Sequence, residues 1–248
     1  MFALGGVILF GKKIGDYQRS PAALRKGSVE NMINSDAAIP VSRALKIIGM
    51  TGAALGVGTL LLSTALYMEN HEFSIFTTYL SDIGNTPGWP QTVFNSGMLI
   101  IAPLRYLFLI LLVLKLRYLG AGMGFSLPAL TLGALVVIGA IGMSAIPYSL
   151  SLVLHKMSAL LYFFGVVVLQ SLIGVQEWRR RLSALLPFSS FAVVVVYLIF
   201  AVLLTLVGKV EGITRNTPVI WEWLASLSLM FWLVVHSILL GTNRTAKS

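Results

Sequence analysis

Three titratable residues of this 248-residue chain have the chemistry of an acid–base or metal site, provided that the fold brings them together. Asp82 precedes the second of six long apolar segments, and His155 and Glu222 lie near the starts of the fourth and sixth. Two carboxylates and an imidazole can bind a metal ion or transfer protons. Residues from such scattered positions are a loose signature of catalysis, so we expect a polar network that ties a loop to the helices. No catalytic residue and no metal site are predicted.

Arg105 is the deepest charge in the chain, about midway along the second apolar segment. A charge inside lipid requires a partner or a water-filled site. At a rise of about 1.5 Å per residue, Arg105 lies about 18 Å along its segment and Glu222 about 5 Å along the sixth. We predict that an acid pairs with Arg105, Glu222 before Asp82, and that water, Tyr106 or a lipid headgroup completes the pair. A ligand-contacting Arg105 is the alternative. The candidate ligand-binding or polar-network residues are Ser81, Asp82, Arg105, His155 and Glu222.

The three histidines do not meet the requirement of a haem site, which needs its axial ligands at one iron. His155 and His236 lie near opposite ends of their segments, roughly 20 Å apart along the membrane normal. His71 lies in a loop. We therefore predict no haem and no other cofactor, and we assign His236 to a hydrogen-bonding role at the membrane interface. The chain has no cysteine, which excludes disulfides and thiolate metal sites.

Six apolar segments position these residues. Each segment is poor in charge and is long enough to cross a bilayer as a helix. The predicted spans are residues 44–67, 93–114, 125–147, 152–174, 187–207 and 219–240. The predicted fold is therefore all-α, a polytopic bundle of six transmembrane helices that occupies residues 44–240. The connections are mostly short, so sequential helices should be neighbours.

The composition and the placement of charge agree with an integral, multi-pass membrane protein. Hydrophobic residues make up 57% of the chain and charged residues 11%, which is too little charge to cover a soluble surface. The net charge of +9 could indicate nucleic acid, but fourteen of the eighteen Lys and Arg residues fall on one predicted side of the membrane. This is the positive-inside pattern, which predicts that both termini are cytoplasmic and that nucleic acid is not a partner.

The regions outside the spans are two tails and one long loop. Residues 1–43 form a basic cytoplasmic tail, punctuated by two prolines, for which we predict no stable fold. Residues 241–248 form a second, short tail. The longest connection, residues 68–92, is acidic and aromatic and has dense turn formers at residues 82–88. We predict an ordered turn or a short helix there, folded back on the bundle.

Three parts of the sequence carry a family resemblance. They are residues 79–87 with 93–95, residues 155–163 running on to Gln170, and Trp221, Glu222 and Trp223 with Phe231 and His236. Together they resemble the DRAM family of six-span membrane proteins (damage-regulated autophagy modulators), whose superfamily includes fungal suppressor-of-four-kinase proteins and GPI-lipid-remodelling proteins. The similarity covers residues 44–240, and the Ser-Asp-x-Gly turn at residues 81–84 is its most specific part.

The resemblance implies a fold and a membrane location more firmly than it implies a reaction. We expect a non-catalytic protein that organises, senses or scaffolds membrane lipid or a membrane-protein partner. The alternatives are an enzyme or accessory factor in GPI-type lipid remodelling at the outer leaflet, and a small-solute transporter. A pocket with acyl-sized apolar walls would favour lipid handling, a water path at Arg105 would favour transport, and a closed bundle would favour scaffolding.

Overall fold

The structure, a computed structural model, describes residues 21–242, and it describes side chains from residue 39 onward. The described part of the chain is all-α and contains no strand. The helices are α1 (Pro21–Met68), α2 (Leu80–Ile83), α3 (Trp89–Tyr118), α4 (Met123–Ala145), α5 (Leu152–Arg179), α6 (Leu185–Leu206) and α7 (Val219–Gly241). The chain divides into two compact units at Ala37, and the unit that begins at Ala38 contains the features described below.

Six of the helices are long and apolar enough to cross a membrane, as the sequence predicted. In α1 the apolar part is Ile39–Met68, and the other five are α3 to α7. A helix satisfies every backbone hydrogen bond within its own segment, which lipid requires because it offers no partners. The protein is therefore an integral multi-pass membrane protein, whereas the side on which its termini lie stays a prediction.

The helices differ from the predicted spans mainly at their ends. The helix α1 begins at Pro21, so residues 21–43 are helical where we predicted no stable fold. The helix α5 continues to Arg179, five residues beyond its predicted span, because hydrogen bonding does not stop where hydropathy falls. The helix α4 ends at Ala145, since Ile146 precedes a proline and the α conformation is unfavourable there.

Sequential helices pack side by side from α3 to α7, as their short connections predicted. Glycine allows the closest approaches, because membrane helices associate through small residues. A Cβ on Gly139 of α4 would lie 2.6 Å from the backbone nitrogen of Tyr162 on α5. On α1, Gly49 faces Ser237 of α7 and Phe108 of α3. Both α1 and α4 thus use the small residues that their sequences contain.

The loop after α1 folds onto the bundle, and this confirms the predicted short helix. The helix α2 buries Leu80 and Ile83, which pack with Val219 and Trp223 at the start of α7. The indole nitrogen of Trp223 donates to the carbonyl of Thr78 at 2.9 Å. The loop therefore packs against one end of the bundle, called the α2 end from here on. The other end, where α5 finishes and α6 begins, is the far end.

Candidate functional site

A cavity of about 700 Å³ enters the bundle from the α2 end, and we call it the large cavity. Its walls are mostly apolar and come from α3, α4, α5 and α6. Charged and polar side chains lie at its mouth, and one arginine lies deep inside it. All five candidate residues line this cavity: Ser81, Asp82, Arg105, His155 and Glu222. The fold thus brings them around one space, and whether they bind a ligand stays a prediction.

An ion pair holds the mouth of the cavity together. Arg215, in the loop between α6 and α7, donates through Nη2 to both carboxylate oxygens of Asp82, at 2.8 and 2.6 Å. The Arg215 guanidinium also lies 4.9 Å above the centre of the Tyr79 ring. The Tyr79 hydroxyl donates to the backbone carbonyl of Arg215 at 2.5 Å. The Arg215 side chain is 59% exposed and that of Asp82 20%, so the pair lies at a wet rim.

Glu222 is held by the backbone of α2. The amide of Leu80 donates to Glu222 Oε2 at 2.6 Å, and Ser81 lies beside the same carboxylate. The first amides of a helix have no partner within the helix, so a carboxylate there caps it. Asp82 also caps α2, because its Oδ2 accepts a hydrogen bond from the amide of Tyr79 at 3.1 Å. Both acids therefore fix α2 over the cavity.

The third side of the mouth comes from the loop between α4 and α5. His155 Nδ1 donates to the carbonyl of Ile146 at 2.8 Å, since a carbonyl oxygen can only accept. The Tyr148 ring lies edge-on to the His155 ring, and the amide of Ser149 donates to Asn85 Oδ1 at 3.0 Å. Three loops thus meet at the mouth, and hydrogen bonds join the α4–α5 loop and the α6–α7 loop to the loop that carries α2.

The electrostatics of the mouth favour neutral tyrosines and a charged arginine. Burial, with smaller contributions from the Glu222 and Asp82 charges, raises the pKa of Tyr79 to about 12. Burial and the nearby Asp82 charge also raise the pKa of Tyr148 above its ordinary value. Hydrogen bonding to Asp82 raises the pKa of Arg215. These groups therefore keep their protonation states throughout the physiological pH range.

The direct ion pair predicted between Arg105 and Glu222 is not present among the described residues. Glu222 is held at the mouth by Leu80, and Asp82 by Arg215. Arg105 follows Trp89 by sixteen residues on α3, which is about 24 Å along the helix. Its Nε is buried and has no hydrogen-bond partner among the described residues. The prediction failed because both acids have other partners. Arg215, from another loop, pairs with Asp82, and the backbone amide of Leu80 donates to Glu222.

Two tyrosines and a glutamine surround the deep end of the cavity. The hydroxyls of Tyr162 and Tyr197 lie 3.1 Å apart, and both residues line the large cavity. Arg105 and Tyr162 also line a second cavity of about 60 Å³, which extends to Gln170. Gln170 is 3% exposed, and its Oε1 has no hydrogen-bond partner within the described residues. Polar groups thus continue from the mouth to below Arg105, along one face of α5.

A separate polar network lies at the far end, where α5, α6 and α7 meet. His236 Nε2 lies 2.6 Å from Glu177 Oε1, and both side chains are 0% exposed. Ser190 donates to Glu177 Oε2 at 3.1 Å and accepts from Trp232 Nε1 at 2.9 Å. We call these four residues the far-end network. The hydrogen-bonding role predicted for His236 is confirmed, and the residue makes these contacts while buried inside the bundle.

His236 and Glu177 share one proton in the far-end network. His236 Nδ1 lies 2.9 Å from the carbonyl of Trp232, so this nitrogen must be the donor. Its Nε2 then either accepts a proton from a neutral Glu177 or donates one to an ionised Glu177. Both arrangements leave the pair with no net charge, which reduces the cost of burying it. The network therefore joins three helices without placing a net charge in the membrane.

Sequence reasoning missed Glu177 and the role of Arg215. Glu177 lies just beyond the apolar run of its segment, so hydropathy does not mark it as part of a span. Arg215 was one of only three Lys or Arg residues on its predicted side, opposite an acidic loop, and this complementarity could have paired it with Asp82.

Among the described residues, no group of three or more His, Asp or Glu side chains could hold a metal ion.

Comparison with known proteins places this chain in a family. The family described as Protein of unknown function (DUF998) matches residues 46–239, which include most of the six-helix bundle. The match covers more than half of the chain, and the protein therefore belongs to this family. No curated protein and no solved structure matches the chain.

Proposed function

We propose that this member of the DUF998 family is a non-catalytic membrane protein that binds one membrane-derived amphiphile in the large cavity and so senses or carries lipid. The observation that carries the proposal is the cavity itself. Its volume of about 700 Å³ lies within the range of about 300–1,000 Å³ that small-molecule sites occupy. Apolar walls with polar groups at the two ends suit a molecule that has a chain and a headgroup.

The size of the cavity favours a single-chain amphiphile over a whole phospholipid. A volume of about 700 Å³ accommodates one hydrocarbon chain with a small headgroup. The positive-inside pattern, if it sets the orientation, turns the mouth toward the exterior. The resemblance to the DRAM superfamily favours lipid as the ligand, because its members are linked to lipid organisation and GPI-lipid exchange. These two arguments support lipid handling and remain part of the proposal.

The arrangement of the candidate acid–base residues supports binding over lipid remodelling. Asp82 is paired with Arg215, Glu222 caps α2, and His155 donates to a backbone carbonyl. Within the described part of the chain, no hydrogen bond joins any two of these three side chains. A general base must reach the proton that it removes, and a positioned partner usually orients it. The three residues therefore shape the mouth of a binding site.

Solute transport is the second candidate, and the small cavity beyond Arg105 favours it. This cavity shares Arg105, Tyr162, Val136 and Val137 with the large one, so the two spaces adjoin. Together they extend the polar lining from the mouth past the middle of α3. A transporter would bind a water-soluble molecule at such a depth, near the bilayer midplane. The two candidates differ in whether the ligand needs a hydrocarbon chain.

Mass spectrometry of the lipids that co-purify with the protein tests the proposal. Ala159 lines the large cavity, whereas its neighbour Leu160 is 71% exposed on the lipid-facing side of α5. We expect wild type and Leu160→Phe to retain one class of single-chain amphiphile. The Ala159→Phe variant should retain less of it, because the added ring occupies part of the cavity.

A second matched pair guards against misfolding of the first. Ala140 on α4 lines the cavity and Ile141 does not, so Ala140→Phe and Ile141→Phe repeat the comparison on another helix. Thermal denaturation in detergent establishes that each variant is folded. Identical lipids in equal amounts in the wild type and all folded variants would overturn the proposal.

A further inference from the structure

We propose that Arg105 is the anion-binding residue at the deep end of the large cavity. The ligand there is a single-chain amphiphile with an anionic oxygen headgroup, a carboxylate or a phosphate. This inference rests on the proposed function, and it adds the chemical class and the orientation of the ligand. The headgroup lies deep in the bundle against Arg105, and the chain lies along the apolar walls toward the mouth.

The first argument is the balance of charge in the cavity. The carboxylates that line it are Asp82 and Glu222, and both are engaged at the mouth by Arg215 and by the backbone of α2. The cations that line it are Arg105, Lys156 and Arg215. No ion pair to Arg105 exists among the described residues. A charge at this depth in a membrane protein requires compensation, and an anionic ligand supplies it.

The second argument is the supply of hydrogen-bond donors beside Arg105. The Tyr162 and Tyr197 hydroxyls carry two protons, and the bond between them uses one. The remaining phenol proton has no acceptor assigned among the described residues. Arg105 contributes further donors in a planar fork that matches a carboxylate or phosphate. The deep end of the cavity is therefore rich in donors, and these suit an anionic oxygen group.

The third argument is the character of the walls between Arg105 and the mouth. They include Phe94 and Met98 of α3, Phe163 of α5, and Phe200 and Leu204 of α6. Such walls favour a hydrocarbon chain over water, since burying apolar surface is favourable. A small soluble anion would leave them unfilled. The chain thus distinguishes an amphiphile from a soluble anion that shares its headgroup.

Binding of three probes to the purified protein in nanodiscs tests the inference. The probes are palmitate, hexadecanol with the same chain and no charge, and butyrate with the same charge and a short chain. We expect palmitate to bind about tenfold or more tightly than hexadecanol, because only the anion pairs with Arg105. Arg105→Gln should remove this difference while leaving hexadecanol binding unchanged. Lys209→Gln, which removes an exposed cation of the α6–α7 loop that does not line the cavity, is the matched control and should preserve it.

The outcomes separate this inference from the proposed function. Equal binding of palmitate and hexadecanol to the wild type would overturn the anion site and leave the lipid-binding proposal standing. Binding of neither long-chain probe would overturn both. Butyrate binding as tight as that of palmitate would overturn the amphiphile and favour transport of a soluble anion. The comparison of probes on the wild type stands even if Arg105→Gln does not fold.

Discussion

The large cavity and the far-end network both place ionisable groups inside the bundle, but they satisfy them in different ways. In the far-end network every titratable atom has a partner, and both members of the Glu177–His236 pair are fully buried. In the large cavity Arg105 Nε has no partner, and the ion pair at the mouth is partly exposed. The network is closed and complete without a ligand, whereas the cavity offers charge and donors to one.

This difference teaches how to separate structural polar groups from functional ones in a membrane protein. Both kinds are costly to bury, so burial alone does not distinguish them. A complete set of partners indicates a role in joining helices, as for Glu177 and His236. An ionisable group that faces a cavity and lacks a partner indicates a site, as for Arg105. Each of the following variants tests one side of this contrast.

The largest effect is expected from breaking the far-end network. Glu177→Ala leaves His236 and Ser190 buried without their hydrogen-bond partner, which should cost about 3–5 kcal/mol and lower the melting temperature in detergent. Val175→Ala, on the lipid-exposed side of the same helix, should change it little. Replacing Glu177 and His236 together by leucine should recover most of the loss. A Glu177→Ala protein as stable as the wild type would contradict a structural role.

Arg105→Met should stabilise the delipidated protein, in contrast to Glu177→Ala, which should destabilise it. Removing a cation that lacks a partner relieves its desolvation, and we expect a gain of up to about 2–3 kcal/mol in the free energy of unfolding. Thermal denaturation beside Lys156→Met, which removes an exposed cation, measures the effect. A loss of several kcal/mol would show instead that a protein acid pairs with Arg105, as the sequence had led us to predict.

Asp82→Ala should have a small effect on global stability and a larger one on the mouth. The Asp82–Arg215 pair is solvent-exposed, so its loss should cost about 1 kcal/mol or less. In this variant the loop that carries α2 loses the ion pair with Arg215 and the hydrogen bond from the Tyr79 amide. Limited proteolysis should therefore cut the loop faster than in the wild type. Glu69→Ala, an exposed acid in the same loop, should not change the cleavage rate. Unchanged cleavage of Asp82→Ala would contradict the closing role of the pair.

The smallest effect concerns Tyr79 at alkaline pH. Its folded pKa of about 12 exceeds the ordinary value of 10.0, so folding favours the neutral phenol. The stability that it contributes is fully present below about pH 10 and is lost as the pH rises through about 12. The difference in tyrosinate absorbance between wild type and Tyr79→Phe should therefore appear only near pH 12. Titration of this phenol near pH 10 would contradict its burial at the mouth.

The sequence was sufficient to predict the fold because length and hydropathy decide which segments cross a bilayer. The five polar or ionisable residues that it selected as candidates all line the large cavity, since such groups avoid lipid and so face the interior. It did not identify their partners, which depend on the rotation of each helix and on the paths of the loops. Arg215 reaches Asp82 from a loop more than a hundred residues away in the sequence, and no local pattern reports this.

The far-end network was beyond prediction for a related reason. Glu177 follows the apolar run of its segment, so a search for charges inside the spans does not find it. Only the continuation of α5 to Arg179 brings it into the bundle, beside Ser190 and His236. The end of a membrane helix depends on hydrogen bonding and packing as well as on hydropathy, and these are properties of the folded protein.

Solid-state NMR of the protein in bilayers tests the central claim most directly, because it measures the proximity of the ligand headgroup to Arg105. Arginine nitrogens are isotopically labelled in the protein, and the carboxyl carbon is labelled in palmitate. We predict a dipolar coupling between the labelled carboxyl carbon and a guanidinium in the wild type. The coupling should persist in Arg215→Gln and disappear in Arg105→Gln. A coupling that survives Arg105→Gln, or that is lost with Arg215→Gln, would contradict the account and place the headgroup at the mouth.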